Sequence, residues 1–257
     1  MNNKGRNNST KSKKKVRKRK INKFRLFIVI IVGLLMVFGV FKVSTSVINM
    51  IAKKQVVNQE QDVDSENTTQ DKTKDVFTIL IDPGHGGEDG GTIGHSTKVQ
   101  EKELVLDISK KVVSELSKYE DVEVMLTRTT DQYIQLSERV KYANSQGADV
   151  MASIHLNSEA AGNTGNGLET YYKEENSKKF AETIQNTVLT YIDVKDRGIK
   201  QANYETLKHS KIPTVVIECG FLSNPAEEKK LMDPKYQAEL AKGIAQGILS
   251  YIETLKK

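Results

Sequence analysis

The sequence predicts an α/β domain, a mostly parallel sheet with helices on both faces, preceded by a single N-terminal transmembrane helix. Two observations predict it. From Val76 onward, short β-branched runs alternate with segments of helical periodicity. That alternation is the pattern of a parallel sheet covered by crossover helices. Near the N terminus, a wholly apolar run follows a wholly basic one.

Val76–Ile81 reads as the first strand, stopped by Asp82-Pro83-Gly84. Glu101–Tyr119 is a helix with Leu104, Val105, Ile108, Val112 and Leu116 on one face. Val122–Leu126 is a second strand, and Ile134–Asn144 a helix. Ala148–Ile154 ("ADVMASI") is a third strand, and Gly167–Tyr172 a fourth. Ser177–Tyr191 is helical, Thr214–Cys219 is a strand, and Tyr236–Leu255 closes the domain as an amphipathic helix.

Charge is segregated along the chain. The formal net charge of +6 over 257 residues conceals twelve basic and no acidic side chains in residues 1–25. From Lys72 onward, 24 Lys and Arg face 28 Asp and Glu, a balance of −4. A mildly acidic domain argues against nucleic acid as its partner. The basic tail is better explained by the apolar segment next to it. Leu26–Phe41 holds sixteen residues without a charge, which is about 24 Å of helix against a hydrocarbon core of ~30 Å. Flanking Arg25 and Lys42 can snorkel to cover the difference. The expected organisation is a cytoplasmic basic tail (1–25), a membrane anchor (26–47), a flexible linker (48–75) and an exported domain (76–257). A cleavable signal peptide, and hence secretion, is the competing reading. No internal repeat is evident, so an added array of ligand-binding modules is not expected. Cys219 is the only cysteine, so no internal disulfide staples the domain.

Polar residues follow three of the apolar strands: His85 after "TILIDPG", His155 after "MASI" and Glu218 after "TVVI". In a mostly parallel sheet these strand ends share one edge. Glu101 opens the helix that returns from the glycine-rich loop. Two imidazoles, a carboxylate and one open water position form a common catalytic zinc shell, with Glu218 left over as general base. Each residue also has a plainer reading. His85 can be an exposed turn residue, His155 a satisfied core histidine, and Glu101 an answer to the helix dipole. Glu218 is harder to dismiss, because a buried carboxylate without a partner or a task is costly. His95 and Glu159 are the reserve ligands. The glycine loop fails the dinucleotide fingerprint, since position 89 is Asp, and no P-loop lysine follows. If Glu218 faces the site, Cys219 points to the opposite side of its strand.

Taken together, "IDPGHGGEDGG", "QEKELVLDI", "LTRTTD", "ASIHLNS", "RGIKQANYETLK" and "VVIECGFLSNPAEEKKL" resemble the successive motifs of the zinc-dependent N-acetylmuramoyl-L-alanine amidases of the family-3 type. The resemblance spans about Phe77 to Tyr251. It implies a twisted sheet, zinc held by His85, Glu101 and His155, and Glu218 as catalytic acid/base. It also implies peptidoglycan as substrate, cut between N-acetylmuramic acid and L-alanine. Glu101 rather than Glu103 matches the register of the family's carboxylate ligand. Asn157 is a candidate substrate-binding donor. Some members carry a long helical insertion after the second histidine; only Glu159 to Asn166 intervene here, so an unblocked site is expected. The rival readings are a zinc peptidase acting on cell-wall peptides and a non-catalytic peptidoglycan-binding module.

Overall fold

The computed structural model describes residues 76–159 and 163–256. The expected basic tail, membrane anchor and linker lie outside the described residues. Among the described residues, no helix is long and apolar enough to cross a membrane.

Six strands form one sheet: β1 (Phe77–Pro83), β2 (Val122–Leu126), β3 (Val150–Asn157), β4 (Leu168–Tyr172), β5 (Asp196–Gln201) and β6 (Thr214–Phe221). Their order is β2-β1-β3-β6-β4-β5. Every pairing is parallel except β4 against β6. The helices are α1 (Glu101–Leu116), α2 (Leu136–Ser145), α3 (Glu175–Val188), α4 (Pro225–Leu231) and α5 (Pro234–Leu255).

Alternation along β1 assigns the two faces. Ile79 and Ile81 enter the main core with Leu104, Val105 and Ile108 of α1, Phe180 and Ile184 of α3, and Ile244 and Ile248 of α5. Leu80 points the other way, into a small cluster with Met151 and Ala143 of α2. The expected mixed architecture, with helices on both faces, is therefore present. Full burial of each large aliphatic is worth about 1.5–3 kcal/mol, so the three-helix face holds most of the hydrophobic stabilisation. The α2 face is left thin, and that thinness leaves room for a site.

Two elements were not expected. β5 (DRGIKQ) is an edge strand whose residues are half-buried or exposed, with no apolar run to mark it. α4 is short and announced only by its cap. The Asn224 side chain accepts a hydrogen bond from the amide of Ala226, with Pro225 in the first turn. The same device starts α5: Asp233 caps Lys235, with Pro234 in the first turn, two residues ahead of the apolar periodicity. β3 and β6 also run further than expected, so His155 lies within its strand rather than beyond it, while Glu218 lies within β6 as the expected strand had it.

Candidate metal centre and active site

Strand register brings distant carboxylates and an imidazole into one row. His155 on β3 is the cross-strand partner of Glu218 on β6, and Glu218 is in turn opposite Glu169 on β4. The β3–β6 register shifts between His155 and Asn157, a bulge of the kind that re-aims side chains beside active sites. Cys219 faces the main core, as its neighbour's orientation requires.

His85 sits just past β1 with φ +59°, a conformation that persists in a non-glycine residue only where its surroundings over-determine it. Two buried arginines do so. Arg139 donates to the carbonyls of His85 (2.7 Å) and Pro83 (2.7 Å) and to Asp82 Oδ1 (2.8 Å). Arg128 donates to the carbonyls of Pro83, Gly84 and Lys102. Asp82 also accepts from Thr127 and Ser153, at 2.6 Å each. Sequence reasoning missed both arginines. A signal existed: Arg128 comes two residues after an apolar strand, and Arg139 shares a helix face with buried Ala143.

Glu101 is the first residue of α1, and only 2 % of it is exposed. Its Oε1 lies 3.1 Å from His85 Nε2 and 3.1 Å from His155 Nδ1, and accepts the Leu156 amide at 2.9 Å. Its Oε2 accepts the Thr92 amide at 2.8 Å. One donor atom from each of His85, Glu101 and His155 lies within 4.8 Å of the others, so this cluster can hold a metal ion. On the far side of the His85 ring, Nδ1 meets Asp89 Oδ2 at 2.9 Å, the carboxylate contact that orients a ligating imidazole. The glycines answer to this crowding. A Cβ on Gly84 would sit 2.3 Å from the His155 ring, and one on Gly91 2.6 Å from both Glu101 and His85.

The electrostatics divide the two buried glutamates. Burial works against charge on Glu101, yet hydrogen bonds and attraction from His155 and His85 hold its carboxyl well below the usual range. Burial likewise opposes protonation of His85, but Glu101 and then Asp89 raise its pKa to about 9. His155 is raised for the same reason. A field that draws protons onto two imidazoles draws a divalent cation equally well, and metal binding then displaces those protons. Glu218 behaves oppositely. Burial pushes its pKa up to about 7, against the pull of His155 and with the help of Glu101 and Glu169. Its Oε2 is buried and has no hydrogen-bond partner.

These groups line a cleft of about 680 Å³, whose walls include Tyr133, Leu136, Asn157 and Tyr204. One amide N–H of Asn157 donates to Glu169 Oε1 at 2.6 Å. Glu169 is also held by Arg197 (2.6 Å) and Lys200. The reserve residues lie elsewhere. Glu159 accepts the amides of Thr164 and Gly165, and neither it nor His95 joins the metal cluster found among the described residues. No helix lies between β3 and β4 among the described residues.

Two imidazoles and a carboxylate able to take a cation, beside a carboxyl raised toward neutrality, are the kind of groups from which metal-assisted hydrolase sites are built. Residues 79–250 match the family model described as N-acetylmuramoyl-L-alanine amidase, and the chain belongs to that family. It is accordingly an amidase, a hydrolase acting on peptidoglycan between N-acetylmuramic acid and L-alanine. It is 40 % identical over 178 residues to the N-acetylmuramoyl-L-alanine amidase LytC of Bacillus subtilis, a match covering 68 % of this chain and 35 % of LytC. Among solved structures, the N-acetylmuramoyl-L-alanine amidase from Clostridium difficile 630 superposes with a TM-score of 0.69 at 48 % identity, over 70 % of this chain and 98 % of that one. The catalytic domain of CwlV from Bacillus (Paenibacillus) polymyxa gives 0.68 at 39 % identity, over 69 % and 99 %.

Proposed function

We propose that the amidase works with a zinc ion held by His85 Nε2, Glu101 Oε1 and His155 Nδ1, and with Glu218 as acid/base. The donor set fits the ion, since two imidazoles and a carboxylate each offer a donor atom within 4.8 Å of the others, the three-residue set that catalytic zinc sites use. When bound, zinc supplies Lewis acidity toward the amide carbonyl and an acidified water as nucleophile. Glu218 takes the proton from the attacking water and returns it to the departing L-alanine nitrogen. A carboxyl with a pKa of about 7 is suited to both transfers at neutral pH. Gly84 and Gly91 leave the ligands uncrowded, and Asp89 keeps the His85 ring oriented.

The observation that carries this reading is the unpartnered Oε2 of Glu218, buried in the same strand row as His155. Its test is Glu218→Gln in zinc-loaded protein. The expected result is an unchanged zinc stoichiometry with turnover of purified muropeptides nearly abolished. Retained turnover would reject the role. Wild-type products also separate the rivals. Free disaccharide with intact stem peptide is expected; shortened stem peptides would indicate a peptidase, and an absence of clearing in a zymogram a binding module.

The basic run of residues 1–25 and the apolar run after it support a further part of the reading. They would hold the domain at the outer face of the cytoplasmic membrane, next to its substrate.

A further inference from the structure

Tyr133 borders two depressions. It lines the catalytic cleft, and it also lines a second groove of about 580 Å³ over α2 and the segment leading into it. Tyr133 and Tyr142, which line this groove, are 45 % and 39 % exposed, and half-buried Ile134 joins them in its lining. A single exposed aromatic is ordinary, but two exposed tyrosines and an isoleucine around a groove that shares Tyr133 with an active-site cleft mark a binding surface. Polar groups stand among them: Gln132 and the Glu138–Lys141 pair, at 2.6 Å.

We infer that this groove binds the glycan strand of peptidoglycan, on the muramoyl side of the bond that is cut. The inference rests on the amidase reading and adds a direction to it. A pyranose ring presents C–H faces and a rim of hydroxyls, so a tyrosine face flanked by amide, carboxylate and ammonium groups matches it in both respects. The direction comes from the sheet order. Across the strand ends, His85 after β1 and His155 on β3 are followed by Glu218 on β6, with β4 and β5 beyond. Glu218 returns the proton to the L-alanine nitrogen, so the leaving amine and its stem peptide lie toward β6 and β4. The acyl half, with its lactyl group and sugar, lies toward β1 and β2. The chain that leaves β2 carries Tyr133, Leu136 and Tyr142. Continuity through Tyr133 lets one strand occupy cleft and groove together.

Tyr142→Ala is the discriminating variant. Tyr142 is exposed, lies outside the catalytic cleft, and sits mid-helix, where alanine is favoured. Two substrates are compared: glycan strands bearing uncrosslinked tetrapeptides, and N-acetylmuramoyl-L-alanyl-D-isoglutamine, which has no neighbouring sugar. The expected result is a loss of about tenfold in kcat/KM on the strand and an unchanged value on the monosaccharide substrate. A second measurement does not need turnover. Peptide-free hexasaccharide should bind Glu218→Gln protein, and adding Tyr142→Ala should weaken it at least about fivefold. Equal effects on both substrates, or no effect on either, would overturn the inference while leaving the amidase reading intact. A loss that scales with peptide length would give the groove to the stem peptide and overturn it as well. If wild type cleaved neither substrate, the amidase reading would fail, and hexasaccharide binding lost with Tyr142 would still uphold the groove.

Discussion

The cleft has two ends, and they handle a buried glutamate in opposite ways. At the β1–β3 end, Glu101 has two imidazoles and two backbone amides within hydrogen-bond reach of its carboxylate. At the β6 end, Glu218 leaves a buried oxygen unmatched, and burial raises its pKa to about 7. Both carboxylates are removed from water, so burial alone does not distinguish them. The number of donors aimed at each does. Saturation makes Glu101 a fixed anion suited to holding a cation, and starvation makes Glu218 a group that exchanges a proton.

The sharpest way to break this comparison is to make the same change at both ends. Glu218→Gln should lower turnover by about 10²–10⁴-fold with metal content intact. Glu101→Gln, or His155→Ala, should lose the metal as well as turnover, read by elemental analysis of the purified protein. If both Gln variants kept the ion, Glu101 would not be a ligand. If both lost it, Glu218 would be part of the shell.

Stability of the metal-free protein tests the same contrast without turnover. Glu218 has a folded-state pKa raised above its unfolded value of about 4.5. The folded state therefore holds the extra proton between pH 4.5 and 7, and stability falls as pH rises through that window. The penalty above pH 7 approaches about 3 kcal/mol. Glu218→Gln should consequently melt higher than wild type at pH 8 and alike at pH 4.5. Glu101→Gln should melt lower, because it strands two half-buried imidazoles that had a charged partner.

How far the sequence reveals each end depends on the same physics. The row of His155 and Glu218 was legible because apolar β-branched runs announce strands, and parallel strand ends share an edge. The wall beside them was not. Glu169 lies in a strand that was expected, but its partners Arg197 and Lys200 come from β5, whose charged, half-exposed residues carry no apolar signal. The arginines that hold the His85 loop were equally hidden, since a basic residue near a strand end ordinarily reads as surface. Periodicity reports where apolar side chains go. It says nothing of a buried ion pair whose two halves are 57 residues apart, as Arg139 and Asp82 are.

A subtler probe lies in a clamp outside the cleft. Glu228, 1 % exposed on α4, accepts the amides of Ser96 (2.7 Å) and Thr97 (2.8 Å) and the Thr97 hydroxyl (2.6 Å). Burial works to raise its pKa, and these donors overcome it, leaving it at about 2. Its stabilisation is therefore complete above pH 4.5 and lost as pH falls toward 2. Glu228→Gln should flatten the acid limb of a melting-temperature profile between pH 5 and 2. It should leave the curve above pH 5 displaced by a constant amount.

The smallest expected effect concerns how His85 is held. Asp89 contacts its Nδ1 and is partly exposed, so solvent screens the charge and geometry becomes its main contribution. Asp89 also accepts the Gly91 amide at 3.1 Å through its other oxygen, which ties the ring's orientation to the turn that passes Glu101. Removing both contacts with Asp89→Ala should weaken metal affinity by about 10–100-fold. Asp89→Asn keeps the shape of the side chain and one acceptor oxygen while losing the charge, so it should weaken affinity by less. If the two variants were equal, charge rather than orientation would be what Asp89 supplies. The saturated end of the cleft would then owe its low proton affinity to fields and not to the count of donors. Competition titration of the metal against a chelator separates the two.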